Sequence, residues 1–125
     1  RFHHVPSGIH GRLMADLVAR SRIVVAPDSP VTDRYWSNRV YNAAGFGAFM
    51  LHPRSEGLAK HYTNREVPQY DDRAHLHKLI EWYLEETPLN HGRRDTITAA
   101  RARTLAEHTY RHRCARLIAE VEKLR

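Results

Sequence analysis

The densest run of polar side chains is Asp28-Ser29-Pro30-Val31-Thr32-Asp33-Arg34-Tyr35-Trp36-Ser37-Asn38-Arg39. It follows the apolar stretch Ile23-Val24-Val25-Ala26 and leads into a helical pattern. Where a strand gives way to a helix start, the first backbone N–H groups of the helix lack partners within it and point outward. An arginine in the first turns adds a fork for oxygen ligands. Such a place suits an anion, a diphosphate above all. Ser37 or Asp33 is the expected cap of that helix, and by the capping rules alone the same pattern also reads as an ordinary structural cap. Other reactive residues give weaker patterns. His108 and His112 are four apart and share a helical face, a spacing used by zinc sites, but no Glu follows the first and no third ligand stands near. His75 and His77 diverge on a helix, so no metal site is expected. The single cysteine, Cys114, reads as a small core residue, and Trp82 and Tyr83 as packing. There is no Ser-His-Asp arrangement and no G-x-G-x-x-G fingerprint.

The elements that would position the polar run follow from periodicity. Phe2 to Val5 suits a short strand, followed by the turn Pro6-Ser7-Gly8. Leu13, Met14, Leu17 and Val18 predict a helix from about Ile9 to Arg20. Ile23 to Ala26, without polar alternation, suits a strand buried on both faces. A second helix is expected from about Trp36 to Gly45, with Val40, Ala43 and Ala44 inward. Ala48 to Leu51 is the next buried strand, ended by His52-Pro53. A loop containing Gly57 and a short strand within Glu66 to Tyr70 follow. Leu76, Leu79, Ile80 and Tyr83 mark a helix from about Arg73 to Glu86, closed by Pro88. Two last helices break near His108, and Leu117, Ile118, Val121 and Leu124 form the final apolar stripe. The alternation predicts an α/β fold: a Rossmann-like parallel sheet of about four short strands, helices on both faces, and C-terminal helices. Right-handed crossovers put the loops after strands on one edge, where ligands of such sheets bind. Those loops are Pro6-Ser7-Gly8, Pro27 to Arg34, His52 to Gly57, and Asp71-Asp72.

Composition narrows the classes. The 125 residues suit one domain, with 42% hydrophobic and 9% aromatic residues, an ordinary globular mix. No stretch approaches the length of a membrane helix. One cysteine excludes an internal disulfide and fits a reducing, cytoplasmic setting. The chain begins at Arg1 without Met, so residues 1–125 are expected to be one piece of a longer protein. The net charge of +6 comes nearly all from arginine, the better fork for phosphate oxygens. Much of it lies in Arg93, Arg94, Arg101, Arg103, Arg111, Arg113 and Arg116, a run that reads first as a solvated helix face. Nucleic acid is not the expected partner, since no helix-turn-helix or RNA-binding motif is present.

The run Tyr35 to Pro53, Tyr-Trp-Ser-Asn-Arg-Val-Tyr-Asn-Ala-Ala-Gly-Phe-Gly-Ala-Phe-Met-Leu-His-Pro, resembles the donor-site segment of bacterial group 1 glycosyltransferases. The branch it looks most like is related to spore-maturation glycosyltransferases, whose members tend to read Ser-Asn-Arg-x-Tyr-Glu, a small-residue turn, an apolar strand and His-Pro. The likeness continues through Glu56-Gly57-Leu58 and the helix near Leu79 to His108-Thr109-Tyr110-Arg111-His112-Arg113. It implies the GT-B architecture, two Rossmann-like domains facing across a cleft. This chain matches the later part of the C-terminal, donor-binding domain. The early strands, and the Arg and Lys that often hold the donor diphosphate, have no counterpart. The resemblance implies transfer of a sugar from a nucleotide-diphosphate donor, without metal or other cofactor, to an acceptor held by an N-terminal domain that supplies the catalytic base. Among candidate donor-binding residues, Asp28, Ser29, Ser37, Asn38 and Arg39 belong to the polar run. Arg39 and the Ser37-Asn38 helix start would stabilise the departing diphosphate, Asn42 would sit near the ribose, and His52 would lie in a loop near the sugar or diphosphate. In many relatives a glutamate stands at the position of Asn42, bonding the ribose hydroxyls, and another eight residues earlier, where this chain has Arg34. The runner-up is a non-catalytic Rossmann-like binding or interaction module.

Overall fold

An apolar run without alternation needs cover on both faces, and Met50–Pro53 is buried at every position. The computed structural model describes residues 8–26, 32–85 and 92–125. In chain order it contains α1 (Gly11–Arg20), β1 (Val24–Val25), α2 (Arg39–Phe46), β2 (Met50–Pro53), α3 (Glu56–Ala59), β3 (Gln69–Tyr70), α4 (Arg73–Leu84), α5 (Gly92–Glu107) and α6 (Tyr110–Glu122). The three strands form one parallel sheet in the order β1-β2-β3. The register sets Val24 against Met50 and His52 against Gln69. This is an α/β arrangement of the Rossmann-like kind. The strand expected at Phe2–Val5, the loop 27–31 and the helix stop at Pro88 lie outside the described residues.

Successive strand side chains point to opposite faces. Met50 joins Val40, Ala43, Leu58, Tyr62 and Val67 in one core cluster, while the Phe49 ring packs 4.4 Å from the Tyr83 ring of α4. Phe49, Leu51 and Leu58 are at most 1% exposed, and each such side chain stabilises by roughly 1.5–3 kcal/mol on burial. Helix α2 ends because Gly47, at φ 83°, turns the chain left-handed. Its N–H donates to Ala44 O and that of Ala48 to Ala43 O, each at 3.0 Å, a Schellman stop. On α4, Leu76, Leu79, Ile80 and Tyr83 are half-buried as their spacing predicts.

Three expectations are corrected. The strand expected at Ala48 to Leu51 is shifted and runs on through His52-Pro53. His52 and Arg54 donate to Pro68 O and Tyr70 O, at 3.1 and 2.8 Å, so the ladder to β3 needs no N–H from Pro53 between them. Cys114 is exposed rather than in the core. The C-terminal arginines are not simply a solvated face. Arg101 Nε donates to Gly45 O (3.3 Å) and Arg103 Nε to Glu66 Oε1 (2.6 Å). Burial would raise the Glu66 carboxyl, but hydrogen bonds from Arg103 and Thr63 outweigh it and hold the pKa below the ordinary value. Thr104 accepts at 2.7 Å from the Tyr62 hydroxyl, because its own hydroxyl hydrogen goes to Ala100 O, also at 2.7 Å. Burial pushes the Tyr62 phenol up to about 12, with Thr104 opposing.

Candidate functional site

The carboxyl edge of the sheet gathers the starts of α2, α3 and α4. Each needs partners for its first amides, and sequence neighbours supply them unequally. Asp72 caps α4 by accepting from His75 N at 2.7 Å. Ser55 caps α3 by accepting from Leu58 N at 3.3 Å. Asp33, expected as a cap of α2, instead accepts from Glu56 N at 3.2 Å and serves α3. The α3 start and the 32–36 loop are thereby joined, with the Ser55 hydroxyl donating to Thr32 O at 3.3 Å. Gly57 fits under this loop: a Cβ there would overlap the Asp33 carbonyl oxygen and stand 2.5 Å from the Trp36 ring.

Helix α2 keeps the more open start. Its N-cap residue is Asn38, whose side chain makes no cap bond, and no acidic residue lies in its first turn. Ser37 Oγ accepts locally from Arg39 N at 3.3 Å. Arg39 is exposed, and its guanidinium has no ion-pair partner among the described residues. One turn on, Asn42 is exposed as well. Arg39 and Asn42 border one cleft of about 410 Å³, walled by Met14 and Val18 of α1, Val24 to Ala26 at the end of β1, and Ala43 and Phe46 of α2. The cleft has an apolar floor and a polar rim; Arg39 and Asn42 stand three residues apart on one helical face, and His10 borders the cleft from before α1.

The structure thus brings Arg39 and Asn42 together, with Ser37 and Asn38 at the adjoining helix start. Asn38 is partly committed, since its Oδ1 accepts from Arg113 Nη1 of α6 at 2.8 Å. Asp28 and Ser29 lie outside the described residues. His52 is not in a loop: it is 1% exposed within β2, and its Nδ1 donates to Pro53 O at 2.7 Å. A ring held this way is a poor ligand contact, because burial in the strand closes access to it. Sequence reasoning missed Arg54, the first residue past β2, which pairs with Asp71 past β3. Foremost through that hydrogen bond, Arg54 holds the Asp71 carboxyl below its ordinary range, and His75 adds to it from 3.0 Å. The signal available was position alone, the residue after the central strand. Arg113 gave none, being 75 residues from Asn38.

Among the described residues, no three of His, Cys, Asp and Glu are grouped so as to hold a metal ion. Likewise no helix among them is long and apolar enough to cross a membrane. Comparison with curated proteins and with solved structures gives no match. A family model described as glycosyl transferase-like matches residues 3–119, nearly the whole chain, with the helix-start cleft and α5 inside the matched span and its end within α6; the chain belongs to that family.

Proposed function

We propose that this chain is the donor-binding domain of a two-domain, GT-B-type glycosyltransferase, of the kind its spore-maturation-like motifs suggest. It would hold a nucleotide-diphosphate sugar in the cleft between α1, β1 and α2. The observation that carries this reading is the shared cleft of Arg39 and Asn42 at the carboxyl end of β1, where ligands of parallel sheets bind. Transfer develops charge on the departing diphosphate. The Arg39 guanidinium and the positive end of the α2 dipole are preorganised to meet that charge. Asn42 would bond the ribose hydroxyls as donor and acceptor. The acceptor and its base belong to a facing domain, so the isolated chain is expected to bind but not to transfer. The lone cysteine accords with a cytoplasmic setting.

A non-catalytic binding module is the second reading, favoured by one observation. Arg34, at the position of a family glutamate, borders a separate cleft of about 210 Å³ with Trp36, Asn38, Tyr41 and Arg113. Titration of UDP, GDP and ADP, followed by backbone NMR, tests the donor site. Shifts are expected at Arg39, Asn42 and the end of β1. Asn42→Ala removes a neutral hydrogen bond worth roughly 0.5–1.5 kcal/mol and should weaken binding about two- to tenfold. Asn42→Glu should tighten it by restoring a charge-assisted contact. Shifts confined to α5 and α6, or none with any nucleotide at millimolar concentration, would sink the donor reading.

A further inference from the structure

The other side of α2 carries Tyr41, whose hydroxyl stands between Trp36 and His61. Trp36 Nε1 can only donate, and it donates to the Tyr41 oxygen at 2.8 Å. The Tyr41 hydroxyl hydrogen is free to turn to His61 Nδ1 at 3.5 Å, an arrangement that leaves the His61 proton on Nε2. His108 Nε2 lies 3.3 Å from His61 O and donates to it. His112 Nδ1 accepts from Thr109 N at 3.3 Å, so His112 also carries its proton on Nε2. Arg113 lies over the Tyr41 ring, 4.4 Å from its centroid. Arg116 makes no ion pair or hydrogen bond among the described residues. Tyr41, His61, His108, His112, Arg113 and Arg116 line one cleft of about 350 Å³, a size at the lower end of small-ligand pockets. Its one carboxylate, Glu107, is engaged by Arg103 Nη1 at 3.2 and 3.3 Å. The cleft therefore offers N–H donors and cations, with its single anion already paired. Burial first, then the charges of His108, Arg113 and Arg116, lower the His61 pKa, and Glu107 only partly offsets them. Within that effect, the Arg113 and Arg116 charges also favour an anion in the cleft.

We propose that the cleft between Tyr41, His61 and the first turns of α6 binds a phosphate group, with Arg116 as its fork and the His61 and His112 Nε2–H groups as donors. The site is separate from the Arg39–Asn42 cleft and does not depend on a sugar donor there. Arginine meets phosphate oxygens in a bidentate fork, and imidazole N–H groups complete the shell. A free phosphate and a phosphorylated lipid headgroup share this chemistry.

The test is a titration of the 125-residue chain with inorganic phosphate and pyrophosphate against chloride at matched ionic strength, following the histidine ring resonances. Saturable shifts at His61 and His112 are expected, with the His61 pKa rising when the anion is bound. Arg116→Ser should weaken binding about tenfold or more, the effect of losing a hydrogen bond to a charged group. Arg116→Lys, which keeps the charge and loses the fork, should weaken it less. Arg111→Ser, the same charge change on an α6 residue outside the cleft, should leave it unchanged. Co-sedimentation with vesicles carrying phosphatidic acid would place the phosphate on a lipid; binding of the soluble anions without co-sedimentation would place it on a soluble compound. Absence of saturable shifts at millimolar concentration, or equal losses from Arg111→Ser and Arg116→Ser, would overturn the site. Tighter binding of a DNA or RNA oligonucleotide than of pyrophosphate, with a steep salt slope, would also overturn it in favour of a nucleic-acid surface.

Discussion

Helices α2 and α6 carry apolar residues at equally good helical spacing, yet the fold treats them differently. In α2, Val40, Ala43 and Ala44 are buried. In α6 no residue is buried, and Leu124, just past its end, is 88% exposed. Helix α2 is held by the core along its length. The contacts of α6 are polar and confined to its start: a capping box between Thr109 and His112, and Arg113 reaching Asn38 and Tyr41. Periodicity reports that a helix has an apolar face; what covers that face depends on the rest of the molecule.

Four substitutions probe this contrast, beginning with the most damaging. Gly57→Ala should destabilise by about 3 kcal/mol, at the upper end of overpacking effects, because the Asp33 carbonyl and the Trp36 ring leave no room for a Cβ. Chemical denaturation measures the loss, and the α2 start should show it as weakened amide protection. Next come two identical truncations on the two helices. Val40→Ala removes two methyl groups from a site with 0% exposure and should cost about 2 kcal/mol. Val121→Ala, at 48% exposure, should shift stability by no more than about 0.5 kcal/mol, with a small gain open to it because alanine is the better helix former. Similar losses from both would mean that α6 is covered in solution. Arg113→Ala falls between the two truncations. A cation–π contact at an exposed site contributes about 0.5–1 kcal/mol, so the global midpoint should move little while hydrogen exchange in the first turn of α6 accelerates.

Much of the fold was legible because local rules and tertiary packing agreed. The stripe of α4, the inward face of α2 and the buried strand after Gly47 all followed from spacing and turn chemistry. Three misreadings fell where a long-range partner decided the outcome. Pro53 looked like a strand stop, but the β3 ladder draws on the residues either side of it. Asp33 looked like the cap of the next helix, yet it serves α3, 23 residues on. His52 looked like a polar loop residue until the strand extended through it. For the candidate site, position relative to a strand end pointed to Ser37, Asn38 and Arg39, and the family resemblance added Asn42. The Arg113 contact to Asn38 spans 75 residues, and no local pattern encodes it.

That span also orders the assembly of the molecule in time. Closing a long loop costs entropy that rises by roughly 0.6 kcal/mol for each doubling of its length. The sheet closes short spans, since consecutive strands are neighbours. Arg113 could not meet Asn38 cheaply from a free chain, because its few polar contacts would have to offset the whole closure. Once α5 has docked through Tyr62–Thr104 and Arg101–Gly45, most of that span is already closed, and only the short hinge between Glu107 and Tyr110 separates Arg113 from its partner. Helix α6 is therefore a late arrival that depends on α5, and under stress its first turn should release before the sheet does.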